Sequence, residues 1–567
     1  MRRHQQPSSD TRRRARVALA VLAASALAAG LTAPLTGSAG AAPSPPARTA
    51  ESTAAADASR VRAPVPDLVY TACPRDSGLG GLRCASARVP LDYDRPRGPK
   101  TRLALAKRPA SGRPARRIGT LFVNPGGPGG ASRWFVQAAA ALLGPQVRAR
   151  FDIVGIDPRG VGGSTPVRCA STRRPDFPDF SFPYTPRETR KALAYNSVLR
   201  AACERRGNAI LDHMSTADTA RDMDLIRQAV GDEQLSYYGI SYGSYLGATY
   251  AAMFPARVRA LVVDAVLDPV AWATGRTAAA RRLPFSFRLG SGIGAHRAIR
   301  SALRECDQVG RRRCAFAGNA PGKWDRLVER LQRGPVDLGD GRFSYADLIG
   351  FSLGPMYDRS GYAPLMRNLR NLYTATFAGR AARAGIDGAR LRADFEDSVV
   401  GRDIVGPYVA GSAEPRRRPF VVSPAFEGVA CSDSVNPGNP RAWIAAAARD
   451  ERRGGGGFGR LWTWASSPCA GWPGSSADAF RGPWKVQTDT PLLIAGNTFD
   501  PATPISGARA LHALLPGSRL VELKTWGHGA IGQSRCVTNR FSAYLVDRTL
   551  PPRGATCRPD RVLFPRR

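Results

Sequence analysis

The strand-like run Leu235-Ser236-Tyr237-Tyr238 leads directly into Gly239-Ile240-Ser241-Tyr242-Gly243, and the helix-like stretch Ser244 to Phe254 leads directly out of it. A serine at the tip of so tight a strand-to-helix turn sits on strained backbone, and the glycines two residues to either side relieve the crowding. The five-residue pattern alone also fits an ordinary glycine-rich turn. Strand before and helix after are the context that marks Ser241 as a nucleophile held above a sheet edge. Gly247 and Ala248 continue the small-residue face, so this helix can lie close to the sheet. A chain carrying such a turn is constrained to a layered fold of strands and helices.

The remaining apolar pattern agrees. Short β-branched runs at Leu121-Phe122-Val123, Phe151 to Ile156, Leu261-Val262-Val263 and Leu492 to Ala495 alternate with helical spacing, such as Met223, Ile226 and Val230. That alternation reads as βαβ units around a buried, mostly parallel sheet. It stops after Asp268-Pro269 and returns only near Thr490. The stretch between, rich in Arg and Ala with a glycine run at Gly454 to Gly457, reads as an inserted, mainly helical cap. The expected division is a core at 67–270, a cap at 271–488 and a returning core segment at 489–567. No repeat at a solenoid period is present.

A serine hydroxyl attacks only when a base removes its proton, and the base must itself be oriented by a third group. Of the five histidines, His4 lies in the leader, and His213, His296 and His512 lie in helix-like stretches. His528 stands in a turn, Thr525-Trp526-Gly527-His528-Gly529, directly after the strand-like Leu520 to Leu523. Asp500 closes the preceding strand at Pro491 to Phe499 and opens a polar loop. Nucleophile, acid and base thus occur in the order Ser241, Asp500, His528, the chain order of a nucleophile-elbow hydrolase. The plainer readings are a helix-capping Asp500 and a turn-lining His528.

Acyl transfer also needs backbone N–H donors aimed at the oxyanion. Asn124-Pro125-Gly126-Gly127-Pro128-Gly129-Gly130 follows the strand at Leu121, where such a loop belongs. The expected donors are Gly126 or Gly127 together with Tyr242, the residue after the nucleophile. A phosphate-binding loop would need Lys and Ser/Thr after the glycines, and these are missing. No metal or cofactor is implied.

The first residues concentrate arginines from Arg2 to Arg16, turn apolar from Val17 to Leu31, and reach Ala39-Gly40-Ala41-Ala42. That is the layout of a secretory signal peptide over 1–41, its apolar run shorter than the roughly 20 residues that span a bilayer. No membrane span is expected after cleavage. Residues 42–66, rich in Ala, Pro and Ser, suit a linker or pro-segment. Ten cysteines, none in C-x-x-C spacing, favour disulfides in an exported chain over a zinc site. Neighbour pairing, the simplest scheme, joins Cys73 to Cys84, Cys169 to Cys203, Cys306 to Cys314, Cys431 to Cys469 and Cys536 to Cys557. The net charge of +37 is spread as arginine without a recognisable basic module, so nucleic-acid binding is not expected. Loose contact with anionic cell-envelope polymers is what such a charge permits.

Asn124 to Gly130, Phe151 to Gly160 with Asp157-Pro158-Arg159-Gly160, Tyr238 to Gly243 and the Asp500/His528 pair resemble the proline iminopeptidase-like peptidases of the α/β-hydrolase superfamily. The likeness is closest to the secreted tripeptidyl aminopeptidases of actinobacteria, which share Asn-Pro-Gly-Gly-Pro-Gly where single-residue iminopeptidases have His-Gly-Gly-Pro-Gly. It runs from about Val69 to Val546, tightly at the motifs and loosely in the cap. The resemblance implies an α/β-hydrolase fold and release of short peptides, tripeptides among them, from a free N-terminus. It also implies cap carboxylates facing the substrate ammonium, for which Glu427 and Asp433 beside Cys431 are the candidates. Two other readings stand beside it. One is an esterase or lipase using the same triad, because a fold does not choose its substrate. The other is a non-catalytic, envelope-binding relative.

Overall fold

The computed structural model describes residues 61–171, 176–338, 341–378, 387–396 and 420–566. The expected signal peptide at 1–41 and most of the 42–66 linker lie outside the described residues. One sheet carries the fold. Its strands are β1 (Thr71–Ala72), β2 (Arg83–Pro90), β3 (Lys100–Arg108), β4 (Gly119–Asn124), β5 (Phe151–Ile156), β6 (Leu235–Ile240), β7 (Val258–Asp264), β8 (Leu493–Phe499), β9 (Arg519–Trp526) and β10 (Thr556–Cys557). They lie in the order β1-β2-β3-β5-β4-β6-β7-β8-β9-β10. From β5 to β10 neighbouring strands run parallel, while β1, β2 and β3 join antiparallel at one edge.

Strand alternation explains the layers. Leu121, Val123, Tyr238, Ile240, Val262 and Leu493 point to one face, against helix α1 (Ser132–Leu142) and the helix Arg535–Asp547. Phe122, Tyr237, Leu261, Val263 and Ile494 point to the other, against α2 (Thr216–Ala229) and α3 (Tyr242–Met253). Every residue of β4 and of β6 is buried, as strands covered on both faces must be. Each large apolar side chain so removed from water contributes about 1.5–3 kcal/mol.

Between β7 and β8 no described residue adds a strand to this sheet. The insertion is chiefly helical, as expected. Its apolar side chains, among them Trp272, Phe285, Trp324, Phe351, Trp443 and Trp464, belong to the same buried cluster as α2 and α3. The insertion therefore shares the core of the sheet's upper layer. Phe420–Val422 also pairs antiparallel with Cys169–Ser171, which stitches it to the part of the chain before β6.

The motif Asp157-Pro158-Arg159-Gly160 does structural work. Arg159 is fully buried and grips Asp222 of α2 at 2.7 and 2.8 Å, while it also donates to the carbonyls of Pro90 and Leu91. A buried guanidinium is tolerable only with its donors satisfied in this way. Asp157 accepts from the backbone and side chain of Arg133 and from Gly163, fixing the start of α1 just after the glycine loop.

All ten cysteines are joined, Cys73–Cys84, Cys169–Cys203, Cys306–Cys314, Cys431–Cys469 and Cys536–Cys557, each to its sequence neighbour. Thiol titration of the denatured, unreduced protein is expected to find no free cysteine, and ten after reduction. The double variant Cys431→Ser, Cys469→Ser, which opens a 38-residue separation, should lose about 2–4 kcal/mol of stability, read as a lower denaturant midpoint. Free thiols before reduction would contradict the pairing.

Candidate active site

Strand β6 delivers Ser241 to the N-terminus of α3 with φ 59° and ψ −126°, a conformation that L side chains rarely adopt. The surrounding glycines make it possible. A Cβ on Gly239 would lie 2.3 Å from the carbonyl oxygen of Gly243, and one on Gly243 would lie 2.8 Å from the carbonyl oxygen of Asn124. The turn is pinned by its own hydrogen bonds. Ser241 N–H donates to the Asp264 carbonyl at 3.0 Å, and the Ser241 carbonyl accepts from Ser244 N–H at 2.8 Å. Ser241 itself is half-buried.

Asp500 and His528 meet at the ends of β8 and β9. His528 Nδ1 lies 3.1 Å from both carboxylate oxygens of Asp500, which leaves Nε2 as the ring nitrogen not turned to the acid. The carboxylate is itself oriented. Its Oδ1 accepts from the backbone N–H groups of Ala502 and Thr503 at 2.8 Å, and its Oδ2 accepts from the Thr503 hydroxyl at 2.8 Å. His528 is held by its backbone N–H, which donates to the Tyr357 carbonyl at 3.1 Å, and its ring by edge-on packing against the Tyr357 ring.

A third carboxylate escaped the sequence reading. Asp264, fully buried at the end of β7, accepts on Oδ2 from Tyr238 of the nucleophile strand at 2.9 Å and from the N–H groups of Ala530 and Ile531 at 2.5 and 3.1 Å. Its carbonyl receives Ser241 N–H, so one residue ties the nucleophile turn to the loop that carries His528. Burial pushes its carboxyl up to about 6, against the pull of those donors and of His528. Thr503 and Tyr357 were likewise unmarked in the sequence.

The glycine loop lies against the nucleophile. A Cβ on Gly126 would come within 2.8 Å of Ser241 Cβ and 2.9 Å of Tyr242 N, so only glycine fits there. Gly126 N–H, however, donates to Asn124 Oδ1 at 2.9 Å. That donor is committed inside the loop, and Gly127 is left as the loop's candidate. Tyr242 N–H opens α3, where the first amides have no intrahelical acceptor.

The two cap carboxylates separate. Both sit on α4 (Ala425–Asp433), which packs its start on the glycine loop, since a Cβ on Gly129 would lie 3.3 Å from Phe426 N. Asp433 accepts from Thr216 N–H at 2.8 Å, Thr216 hydroxyl at 2.6 Å and Trp272 Nε1 at 3.3 Å. Thr216 in turn meets the Tyr242 hydroxyl. Asp433 is thereby saturated inside the protein and acts as a strut under Tyr242, because a carboxylate whose oxygens already accept three donors has little left for a substrate ammonium. Glu427 is different. It is buried on the turn of α4 nearest the glycine loop, and desolvation pushes its carboxyl up to about 7.

Among the described residues, His213, Asp218 and Asp478 bring three possible ligand atoms within 4.8 Å of one another. Asp218 already receives Ser215 Oγ at 2.9 Å and Arg221 at 2.8 Å, so the group is an ion-pair network in which a cation would compete with guanidinium.

Residues 119–288 match the family model of the α/β-hydrolase fold, and residues 456–557 that of TAP-like proteins. Tripeptidyl aminopeptidase of Streptomyces coelicolor is 30% identical over 504 residues, 85% of this chain and 84% of that protein. Carboxylesterase B of Mycobacterium tuberculosis is 31% identical over 501 residues, 85% and 88% of the two chains. Serine protease Hip1 of the same organism is 29% identical over 503 residues, 84% and 88%. With that identity along most of both chains and with the strand order described above, the chain belongs to the tripeptidyl aminopeptidase family of α/β-hydrolases and is a serine hydrolase.

Proposed function

We propose that this protein is a secreted serine exopeptidase that releases short peptides, tripeptides foremost, from free N-termini. Ser241 Oγ attacks the carbonyl carbon of the third residue while His528 Nε2 takes its proton, and Asp500 holds the resulting imidazolium in place. The developing oxyanion is received by the N–H groups of Tyr242 and Gly127. His528 then gives the proton to the leaving amine, the C–N bond breaks, and an acyl-enzyme remains on Ser241. Water, deprotonated by His528, releases the peptide. Residues 271–488 are the cap that limits the site to chain ends, and 67–270 with 489–567 are the catalytic core. Secretion agrees with five disulfides and with the arginine-rich leader.

The observation that carries the exopeptidase mode is Glu427, a buried carboxyl on the helix that rests on the glycine loop. A desolvated ammonium needs such a partner, and one charge-assisted contact is worth roughly 1.5–3 kcal/mol. A second reading, an esterase, is favoured by the likeness to carboxylesterase B. The substrates separate the two. A peptidase that needs the ammonium cleaves a free tripeptide anilide and spares its N-acetyl form, while an esterase is indifferent to the acetyl group.

Ser241→Ala is expected to keep the fold and lose several orders of magnitude in kcat and all labelling by a fluorophosphonate. Near-parental hydrolysis in that variant would refute the nucleophile. Glu427→Gln should lower kcat/KM for the free tripeptide anilide by roughly 10-fold or more, while a small neutral ester changes little. The pH dependence has a definite sign. With the Glu427 carboxyl raised to about 7, only its ionised form pairs with the ammonium. The ratio of anilide to ester kcat/KM should therefore rise as pH passes upward through about 7, and this rise should vanish in Glu427→Gln. Parallel loss of both activities would make Glu427 structural.

A further inference from the structure

Asp264 closes β7 between the nucleophile turn and the loop of the base, and its contacts reach both. Its carbonyl takes the Ser241 amide at 3.0 Å. Its Oδ2 takes the hydroxyl of Tyr238, three residues before Ser241, at 2.9 Å. The same oxygen takes the amides of Ala530 and Ile531, two and three residues beyond His528, at 2.5 and 3.1 Å. These three donors are neutral and converge on one oxygen, while Oδ1 has no hydrogen-bond partner. An asparagine placing its amide oxygen where Oδ2 lies would hold the same three donors. Hydrogen bonding alone therefore does not account for a carboxylate at this position.

What asparagine would lack is the charge. A carboxylate as buried as Asp264 is ordinarily matched by a cation. Asp157, Asp222 and Asp224, equally buried, are so matched, by Arg133 at 2.7 Å, by Arg159 at 2.7 Å, and by Arg227 and Arg257 at 2.9 and 2.6 Å. The titratable groups that act on Asp264 are instead Tyr238 on β6 and His528 on the loop after β9. Of these two only His528 can become a cation, and it does so when it takes the serine proton. Burial raises the Asp264 carboxyl only to about 6, which leaves it ionised at neutral pH.

We propose that Asp264 is a second acid of the site, a positioning residue that works through His528: its negative charge favours the imidazolium formed as Ser241 Oγ gives up its proton. The inference rests on the triad proposed above. It adds a division of labour between two carboxylates. Asp500 occupies the Nδ1 position and orients the ring, so Asp264 acts on that ring by charge rather than by a hydrogen bond. Charge carries farther in a buried site than in water, and a carboxylate already fixed by three donors needs no reorganisation when the proton moves. The same three donors fix the loop that carries the base, so field and position come from one residue.

The test uses a small neutral ester, on which Glu427 has no bearing. Asp264→Asn keeps an acceptor for the three donors and removes the charge. Its kcat should fall roughly 10-fold, the worth of one pKa unit of charge interaction, while KM stays within about 2-fold. It should melt no lower than the parent at pH 7, because a carboxyl raised by burial stabilises the fold only at low pH and loses that contribution as pH rises through about 6. The pH profile separates charge from structure. The base must be neutral and Asp264 ionised, and both conditions fail as pH falls, so the parent's acid limb should lose two ionisations and the variant's only one. Where the asparagine variant does not fold, Tyr238→Phe reads the same group. It removes one donor from the carboxylate, which raises that carboxyl further and should move the parent's acid limb to higher pH with the plateau kcat unchanged. A folded Asp264→Asn with the parent's kcat overturns the inference, as does a loss of kcat that leaves the acid limb unchanged in shape, or an unmoved acid limb in Tyr238→Phe. If His528→Ala hydrolyses the ester as the parent does, it is the triad that fails, and the two failures are distinguishable.

Discussion

The site depends on one strained residue. Ser241 occupies a backbone conformation that costs of order 1–3 kcal/mol, and it persists because the sheet over-determines it. Strand β6 is wholly buried between β4 and β7, Gly239 and Gly243 allow the chain to fold back on itself, and the Asp264 carbonyl takes the Ser241 amide. The strain has a use. It lifts the hydroxyl off the sheet, aims the first amides of α3 at the same point, and brings Gly126 of the neighbouring loop into contact with the serine. The proposed nucleophile and oxyanion donors thus arise from one turn and the loop after the strand beside it.

The base arrives from much farther along the chain, and its placement relies on carboxylates. Asp500 orients the imidazole through Nδ1, and Asp264 holds the two amides just beyond Gly529. Asp433 does a similar service on the opposite side, since its link through Thr216 to the Tyr242 hydroxyl props the residue whose amide would receive the oxyanion. In a chain of net charge +37, the buried carboxylates are the scarce resource, and these three are spent on holding the site.

Much of this could be read from residues alone because its causes are local. A strand, a G-x-S-x-G turn and a helix are contiguous, and Asp500 and His528 each close a strand, so the fold class and these three residues stood out. Neighbour pairing of the cysteines also held, as short separations favour it in a layered fold. What stayed hidden depends on distant partners. Asp264 meets Ala530 across 266 positions, and Asp433 meets Thr216 across 217, distances over which sequence pattern carries no signal. Glu427 and Asp433 looked equivalent beside Cys431, and only packing distinguishes the saturated strut from the carboxyl near the glycine loop. Gly126 and Gly127 likewise differ only because Asn124 claims one amide. Sharing of one apolar core by the cap and the sheet was equally invisible, because composition shows where an insertion begins but not what it leans on.

The central claim is a peptidyl ester formed on one serine. Mixing enzyme with an N-terminally free peptide, quenching in acid within milliseconds to seconds, and mapping the adduct by mass spectrometry reads that species directly. The account predicts an adduct of the mass of the first three residues, on the peptide that contains Ser241 and absent when the substrate is N-acetylated. An adduct on another residue, an acyl group of different length, or equal labelling by the acetylated peptide would contradict it.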